Sequence, residues 1–323
     1  MTSKNALPIL YTVALATSLR ASEDSYTIPA QKTHDEIPLT ANNRKSSFPY
    51  ISGDAFREIC DFIIDETLIP FNPHSVVDGD TIFVNADKLD YFFGTVHPTI
   101  EAHYILVTHN SDYDLPGLYA AYVDDPKIAA WFGQNVTLKH PKLFPIPIGL
   151  ANKHWKHGDP EVVNKAIATL ATKQSDKKLL YMNFGITHPN RAAIYALFLE
   201  QSFCSIRTVK NSIEHTGLTP YEHLAELADH LFVLSPRGNG LDTHRTWEAL
   251  LMGAIPIVQT SASDSMYDEL PVLIINDWSE VTEEFLHDAY NKLNGTSYNG
   301  EKLYAPYWIE QINACQITLR KKN

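Results

Sequence analysis

Residues 231–258 read LFVLSPRGNGLDTHRTWEALLMGAIPIV. The stretch parses as strand, glycine-bearing loop, helix, strand. Residues 231–234 are an apolar run of strand length. Ser235-Pro236 ends the run, because proline has no N–H for a sheet ladder. Gly238 and Gly240 open a loop that can take positive φ and that a ligand can approach closely. Asp242 is placed to cap a helix over 243–252. Gly253 stops that helix, and 255–258 is the next buried strand. A loop running into a helix N-terminus offers an anion free N–H groups and the positive end of the dipole. Arg237 and Arg245 flank the loop with fork-shaped charge suited to phosphate. Glu248, one turn after Arg245, can present a carboxylate to a sugar diol. Together these residues describe a cradle for a nucleotide diphosphate.

The segment SPRG…HRTWEALLMGAIPIV resembles the donor-binding segment of exostosin-type glycosyltransferases, and within them the ribitol-xylosyltransferase-like branch. Weaker matches lie in FPYISGDAFREICDFIIDE (48–66), YILVTHNSD (104–112), HPKLFPIPIGLAN (140–152) and the NFGITHPNR run (183–191). The resemblance therefore spans residues 48–278. It implies an α/β, GT-B-like fold with two Rossmann-like domains facing a cleft. It further implies a UDP-sugar as co-substrate, transfer with inversion, and a glycan or other hydroxyl-bearing acceptor. It does not fix the sugar.

With 323 residues, 44% of them hydrophobic, the chain has material for two ordinary domains and a substantial core. A net charge of −12 argues against nucleic-acid binding, which needs a basic face. The three cysteines, Cys60, Cys204 and Cys315, are far apart and form neither a metal spacing nor a disulfide framework. Cys60 and Cys315 fall in apolar helical patterns and read as buried thiols. Lys4 precedes an apolar run at 6–19 that resembles a secretory signal. An ordinary N-terminal strand or helix is the other reading. The run is too short and polar for a good membrane span, and membrane association stays open. A eukaryotic signal would place the chain in the Golgi or endoplasmic reticulum lumen; without one it is cytoplasmic. The sequons at Asn135 and Asn294 decide little.

Four regions follow. Residues 1–47 are the signal-like segment and a polar linker. Residues 48–175 form an N-terminal, acceptor-side Rossmann-like domain, and 176–300 the domain that binds the nucleotide sugar. Residues 301–323 are a C-terminal helix which, by the resemblance, packs back on the first domain. Apolar spacing predicts a helix over 53–66, with Asp54 a possible cap, and another over 126–132. Strands are expected at 81–84, 104–108, 179–183, 206–209 and 272–275, with an extended segment at 144–148. Further helices are expected at 161–171, 190–201 and 307–316. Thr219-Pro220-Tyr221-Glu222 is a helix start with a capping box, and Asp277 or Ser279 caps a helix running to 293.

Arg237 and Arg245 are read as neutralising the departing diphosphate, with Asn239, Thr243 and His244 as hydrogen-bonding partners. By the resemblance, Glu248 meets the donor ribose. Arg191, at a helix start, is a second phosphate contact, with Asn183 and Thr187 lining the same cleft. Residues 108–112 end a strand, where open α/β sheets face their ligand crevice. An inverting transfer needs a base there, and Asp112 and His109 are the candidates. A turn with capping side chains is the competing reading, and Asp54 is a further cleft residue. Asp78-Gly-Asp80 and Asp112-Tyr-Asp114 match the short D-x-D pattern of metal-dependent transferases, at a frequency chance supplies. The 14 histidines form no HExxH. No metal or other cofactor is therefore expected. There is no P-loop, no dinucleotide fingerprint and no G-x-S-x-G elbow. A metal-dependent GT-A enzyme and a catalytically idle glycan-binding relative are the rival readings.

Overall fold

The computed structural model describes residues 44–170, 177–207 and 217–321. The signal-like segment and the linker up to residue 43 lie outside the described residues, as do Thr208 and Val209 of the strand expected at 206–209. Two five-stranded parallel sheets form the frame. The first holds β1 (Phe62–Ile64), β2 (Thr81–Asn85), β3 (Tyr104–His109), β4 (Ile128–Gly133) and β5 (Leu143–Pro145), side by side in chain order. The second holds β6 (Lys178–Met182), β7 (Cys204–Ile206), β8 (His230–Leu234), β9 (Ile255–Gln259) and β10 (Leu273–Ile275). Its order across the sheet is β7, β6, β8, β9, β10. The α/β expectation is met: two Rossmann-like units, each built on a five-stranded parallel sheet, pack against each other.

The longer helices are α1 (Gly53–Glu58), α2 (Pro160–Leu170), α3 (Pro189–Phe198), α4 (Pro220–Ala228), α5 (His244–Leu251), α6 (Glu283–Leu293) and α7 (Ala305–Arg320). The capping box at Thr219 and Glu222 forms as the sequence indicates. Two expected helices are corrected. The one at 53–66 ends at Glu58, and Phe62-Ile63-Ile64 is the edge strand β1. The one at 126–132 is instead β4, between β3 and β5. Both are short apolar runs buried in a parallel sheet, where periodicity does not separate strand from helix. Asp277 caps a short 3₁₀ turn, and Thr282 caps α6.

The two units share one apolar seam. Phe56, Phe83 and Phe132 of the first lie in the same core cluster as Trp247, Leu250 and Tyr267 of the second. Helix α7 completes that cluster with Trp308, Ile309 and Ile312. Its far end reaches the first sheet, where Gln316 donates to Asp61 at 3.0 Å and Arg320 to Asp80 at 3.1 Å. Such a continuous core holds the cleft walls in a fixed relation. Cys60 and Cys204 are buried thiols, whereas Cys315 is only half-buried. Among the described residues no helix is long and apolar enough to cross a membrane.

Candidate functional site

The chain leaves β6 for β7 on one side and returns to β8 on the other. The loops following β6 and β8 therefore diverge, and a crevice opens at the strands' carboxyl ends. Arg191, in the first turn of α3, welds those loops together. Its Nε donates to the Arg237 carbonyl at 2.9 Å and its Nη2 to the Pro236 carbonyl at 3.1 Å. Its Nη1 donates to the Gly185 carbonyl at 3.1 Å and to the Thr187 hydroxyl at 3.3 Å. Burial, aided by neighbouring Arg245 and opposed by Asp112, draws its pKa down to about 10. Arg191 is thus a brace of the crevice, with its donors turned towards protein oxygens. Gly238 is required for this approach, because a Cβ there would lie 3.1 Å from Arg191 Nη2. Neither Gly238 nor Gly240 has positive φ. Their role is to admit Arg191 and Asn135 close to the backbone.

Arg245 has the opposite character. Its guanidinium lies over the Phe184 ring at 5.8 Å, and that of Arg191 lies over the same ring at 5.5 Å. Yet Arg245 Nε is buried without a hydrogen-bond partner, and among the described residues its guanidinium makes no ion pair. Burial holds its pKa below the usual value, against the pull of Glu248 and Tyr181. Two cations share one ring, and only one of them is paired off. No side chain caps α5 either. Thr243, not Asp242, is the N-cap, and its hydroxyl turns to Ser235 at 3.1 Å and Thr246 at 3.2 Å. The first-turn amides of α5 and an unpaired arginine therefore converge on the crevice.

Glu248 lies three residues on, on the same face of α5 as Arg245. It is buried and takes a 3.1 Å contact from His223 Nε2 of α4. Burial works to raise the carboxyl, but the His223 bond and the charges of His223, His244 and Arg245 outweigh it and bring the pKa to about 2. An ionised Glu248 can only accept hydrogen bonds. Asn183 extends this polar row, donating to the Tyr181 hydroxyl at 3.0 Å. Glu248 and His223 line a small recess of about 10 Å³ with Leu150, His157 and Pro220. Another recess, about 70 Å³, lies among Arg237, Thr246, Thr260, Tyr267 and Trp278.

The remaining candidates sit between the two units. Arg237 Nη2 pairs with Asp114 of the first unit at 3.1 Å and also donates to its own loop at the Asn239 carbonyl. Asn239 itself is exposed. His244 donates from Nδ1 to the Gly149 carbonyl 2.7 Å away, which leaves Nε2 as the ring nitrogen not engaged by that bond. Asp242 is an interdomain bolt. Its carboxylate accepts from the Ile148 amide and the Trp247 indole, both at 2.8 Å. Its own amide donates to Asn135 Oδ1 at 2.9 Å. The Asn135 sequon is accordingly buried and committed to the interface.

Of the two expected bases, His109 is buried, with Nδ1 accepting from the Asn110 amide at 2.8 Å and Nε2 donating to the Pro147 carbonyl at 3.1 Å. Burial pushes its pKa down to about 4. With both nitrogens engaged, it stiffens the end of β3 and has no free atom for a substrate proton. Asp112 is exposed, and its charge acts on Arg191 across the cleft. Asp78 and Asp80 lie at the amino end of β2, away from the cleft, where Asp78 accepts from the His103 amide and Asp80 from Arg320.

Asp54 does not cap α1; Ser52 does. Its Oδ2 is buried and unpartnered. Among the described residues, five buried side-chain polar atoms lack a hydrogen-bond partner, on Asp54, Gln134, His230, Arg237 and Arg245. Sequence reading missed Phe184, His223 and Asn110. Phe184 lies two residues past the end of β6, at the switch point, which was the available signal; His223 and Asn110 act through long-range contacts.

Neither a family model nor a curated protein matches the chain. By structure it is similar to an α1,3-fucosyltransferase, with TM-score 0.43 and 13% identity over 77% of this chain and 79% of that one. It is also similar to an α1,3-fucosyltransferase with GDP-fucose, with TM-score 0.42 and 13% identity over the same shares.

Proposed function

We propose that the chain is a glycosyltransferase that moves a sugar from a nucleotide sugar, in the first instance a UDP-sugar, to a hydroxyl of a glycan or other acceptor. The observation that carries this reading is Arg245: a largely buried, unpaired guanidinium at an uncapped helix start, over the switch point of a Rossmann-like sheet. A buried guanidinium without a hydrogen-bonded counter-ion is costly even with Glu248 nearby, and an anion arriving there lowers the cost. Arg245 and the amides of α5 then face the diphosphate. They stabilise the charge that grows on it as the bond to the sugar breaks. Glu248, ionised and on the same helix face, accepts from the ribose hydroxyls. His244 Nε2, the ring nitrogen not held by Gly149, is available to the phosphate. The acceptor attacks from the first unit's side of the cleft, opposite the leaving group, and the anomeric centre inverts. Arginine and amides take the place of a metal in this scheme.

The test is calorimetric titration of UDP, and of GDP as a second nucleotide, into wild type and Arg245→Ala. Binding by the wild type that falls at least tenfold in the variant supports the reading. No binding of either nucleotide contradicts it and leaves the idle glycan-binder as the better account.

A further inference from the structure

Asp54 and the loop over 151–158 form a second centre on the acceptor side. Asp54 is fully buried. Its Oδ1 accepts from Asn110 Nδ2 at 3.1 Å and from Arg44 at 3.4 Å. Its amide donates to Asn152 Oδ1 at 2.8 Å, and Asn152 Nδ2 in turn donates to Asn110 Oδ1 at 2.9 Å. Asn110 holds this position with φ 60°, and Gly53 makes room for it, since a Cβ there would overlap Asn110 Oδ1 at 1.8 Å. One oxygen of Asp54 is thereby fixed. The other, Oδ2, has no hydrogen bond and faces His154 Nδ1 at 3.7 Å. His154 is 40% exposed, so its ring is open to solvent on the side away from Asp54.

The loop that carries His154 is clasped at its base. The Ser47 hydroxyl lies 3.1 Å from the Ala151 carbonyl and 2.9 Å from that of Gly158. Trp155 stands at the loop's tip, 57% exposed. Its ring is 5.2 Å from that of His154 and 6.4 Å from that of His157. His157 lies 6.3 Å from His244, which ties the loop to the start of α5. An exposed indole flanked by imidazoles suits the apolar face of a sugar ring, whose C–H groups pack on an aromatic surface while its hydroxyls reach polar neighbours.

We infer that residues 154–155 form the acceptor subsite: a saccharide ring stacks on Trp155, and His154 takes the proton from its attacking hydroxyl, with Asp54 behind as the positioning residue. This rests on the glycosyltransferase reading. In the step, the acceptor oxygen bonds to the anomeric carbon, and its proton passes to His154 Nε2. The bond from that carbon to the diphosphate breaks, and its electron pair leaves on the diphosphate oxygen, opposite Arg245. Asp54 stabilises the imidazolium, which afterwards releases its proton to solvent. The 3.7 Å separation closes by a small ring rotation, as catalytic hydrogen bonds commonly tighten when substrate binds.

The experiment uses UDP-loaded protein and a panel of methyl xyloside, galactoside, mannoside and fucoside, followed by saturation-transfer NMR. Binding of at least one glycoside that drops more than fivefold in Trp155→Ala and returns in Trp155→Phe is expected, with UDP affinity unchanged throughout. Equal binding in Trp155→Ala, or no glycoside binding by UDP-loaded wild type, overturns the subsite. Release of UDP from a panel of UDP-sugars, with the bound glycoside present, tests the proton step. His154→Ala should lower it about 100-fold, the scale of general-base catalysis, with partial rescue by added imidazole. Asp54→Asn should lower kcat about tenfold while leaving the glycoside KM and UDP affinity unchanged. Full release in His154→Ala, or none in a wild type that binds both ligands, overturns the base assignment. Failure of wild type to bind UDP at all instead overturns the donor reading on which it rests.

Discussion

The two walls of the cleft carry opposite chemistry. At the carboxyl ends of the second sheet stand Arg191, Arg237 and Arg245, around a helix start. At those of the first stand Asp54, Asp65, Asn110 and Asn135, with Arg44 set among the carboxylates at 3.4 and 3.6 Å. Topology accounts for much of the difference. The second sheet reverses its strand order and so has a switch point, where loops part and backbone amides face outward. The first sheet is monotonic and has no such point, so its site is assembled from side chains. The asymmetry follows from the order in which the strands are laid down.

Arg191→Ala should break the comparison most severely, since it strips three carbonyls, one buried and two part-buried, of their donor. Unsatisfied buried groups cost about 1–3 kcal/mol each before relaxation. A loss of about 3 kcal/mol in unfolding free energy is expected by urea titration. Arg191→Lys should recover little, because an ammonium cannot span both loops as a fork does. An unchanged midpoint in Arg191→Ala would return this residue to the role of a free phosphate contact.

Asp242→Ala should cost nearly as much, about 2–3 kcal/mol, because the Ile148 amide and the Trp247 indole both lose their acceptor. Here the damage falls on the seam between the walls. The expected signature is a broadened or split unfolding transition followed by tryptophan fluorescence. A single, unshifted transition would show that the apolar seam alone holds the units together.

Acid should act on both units alike. His109 in the first unit and His230 in the second are buried and neutral, with pKa values drawn down to about 4 by burial. Between about pH 6.5 and 4 the unfolded chain binds protons that the folded chain refuses, so stability falls as pH falls through that window. Each histidine contributes a slope of up to about 1.4 kcal/mol per pH unit. Urea midpoints at pH 7, 6 and 5 should decline steadily, and less steeply in His109→Gln. A flat profile would mean that these rings titrate normally in the fold.

Arg237→Ala should have the smallest effect. Its guanidinium is already engaged by Asp114, and part-exposed pairs are worth about 0.2–1 kcal/mol. UDP affinity should change less than about fivefold, whereas a loss matching that of Arg245→Ala would make the two arginines equal partners in the donor site.

The second wall was far more legible in the sequence than the first. Residues 231–258 hold strand, loop, helix and strand in one contiguous stretch, so local rules suffice. The limits of that reading are equally physical. It ranks Arg237 and Arg245 together, because nothing local tells which of them finds a carboxylate; Arg237 meets Asp114 across 123 residues. Asp242 reads as a cap because its neighbours are helical, yet its partner is an amide 94 residues away. In the first unit, β1 and β4 were mistaken for helix because short buried apolar runs satisfy both periods. The 104–112 motif spans β3 and the turn after it. Asn110, an amide in a left-handed conformation that no local pattern singles out, is the residue that holds Asp54.

The central claim is that an unpaired Arg245 at the start of α5 binds a nucleotide diphosphate. Calorimetry of UDP with wild type and Arg245→Ala, each with and without EDTA, tests it most directly. The account predicts wild-type binding that survives EDTA and weakens by about 1.5–3 kcal/mol in the variant, the scale of a charged hydrogen bond. Equal affinity in both proteins, or binding abolished by EDTA, would contradict it.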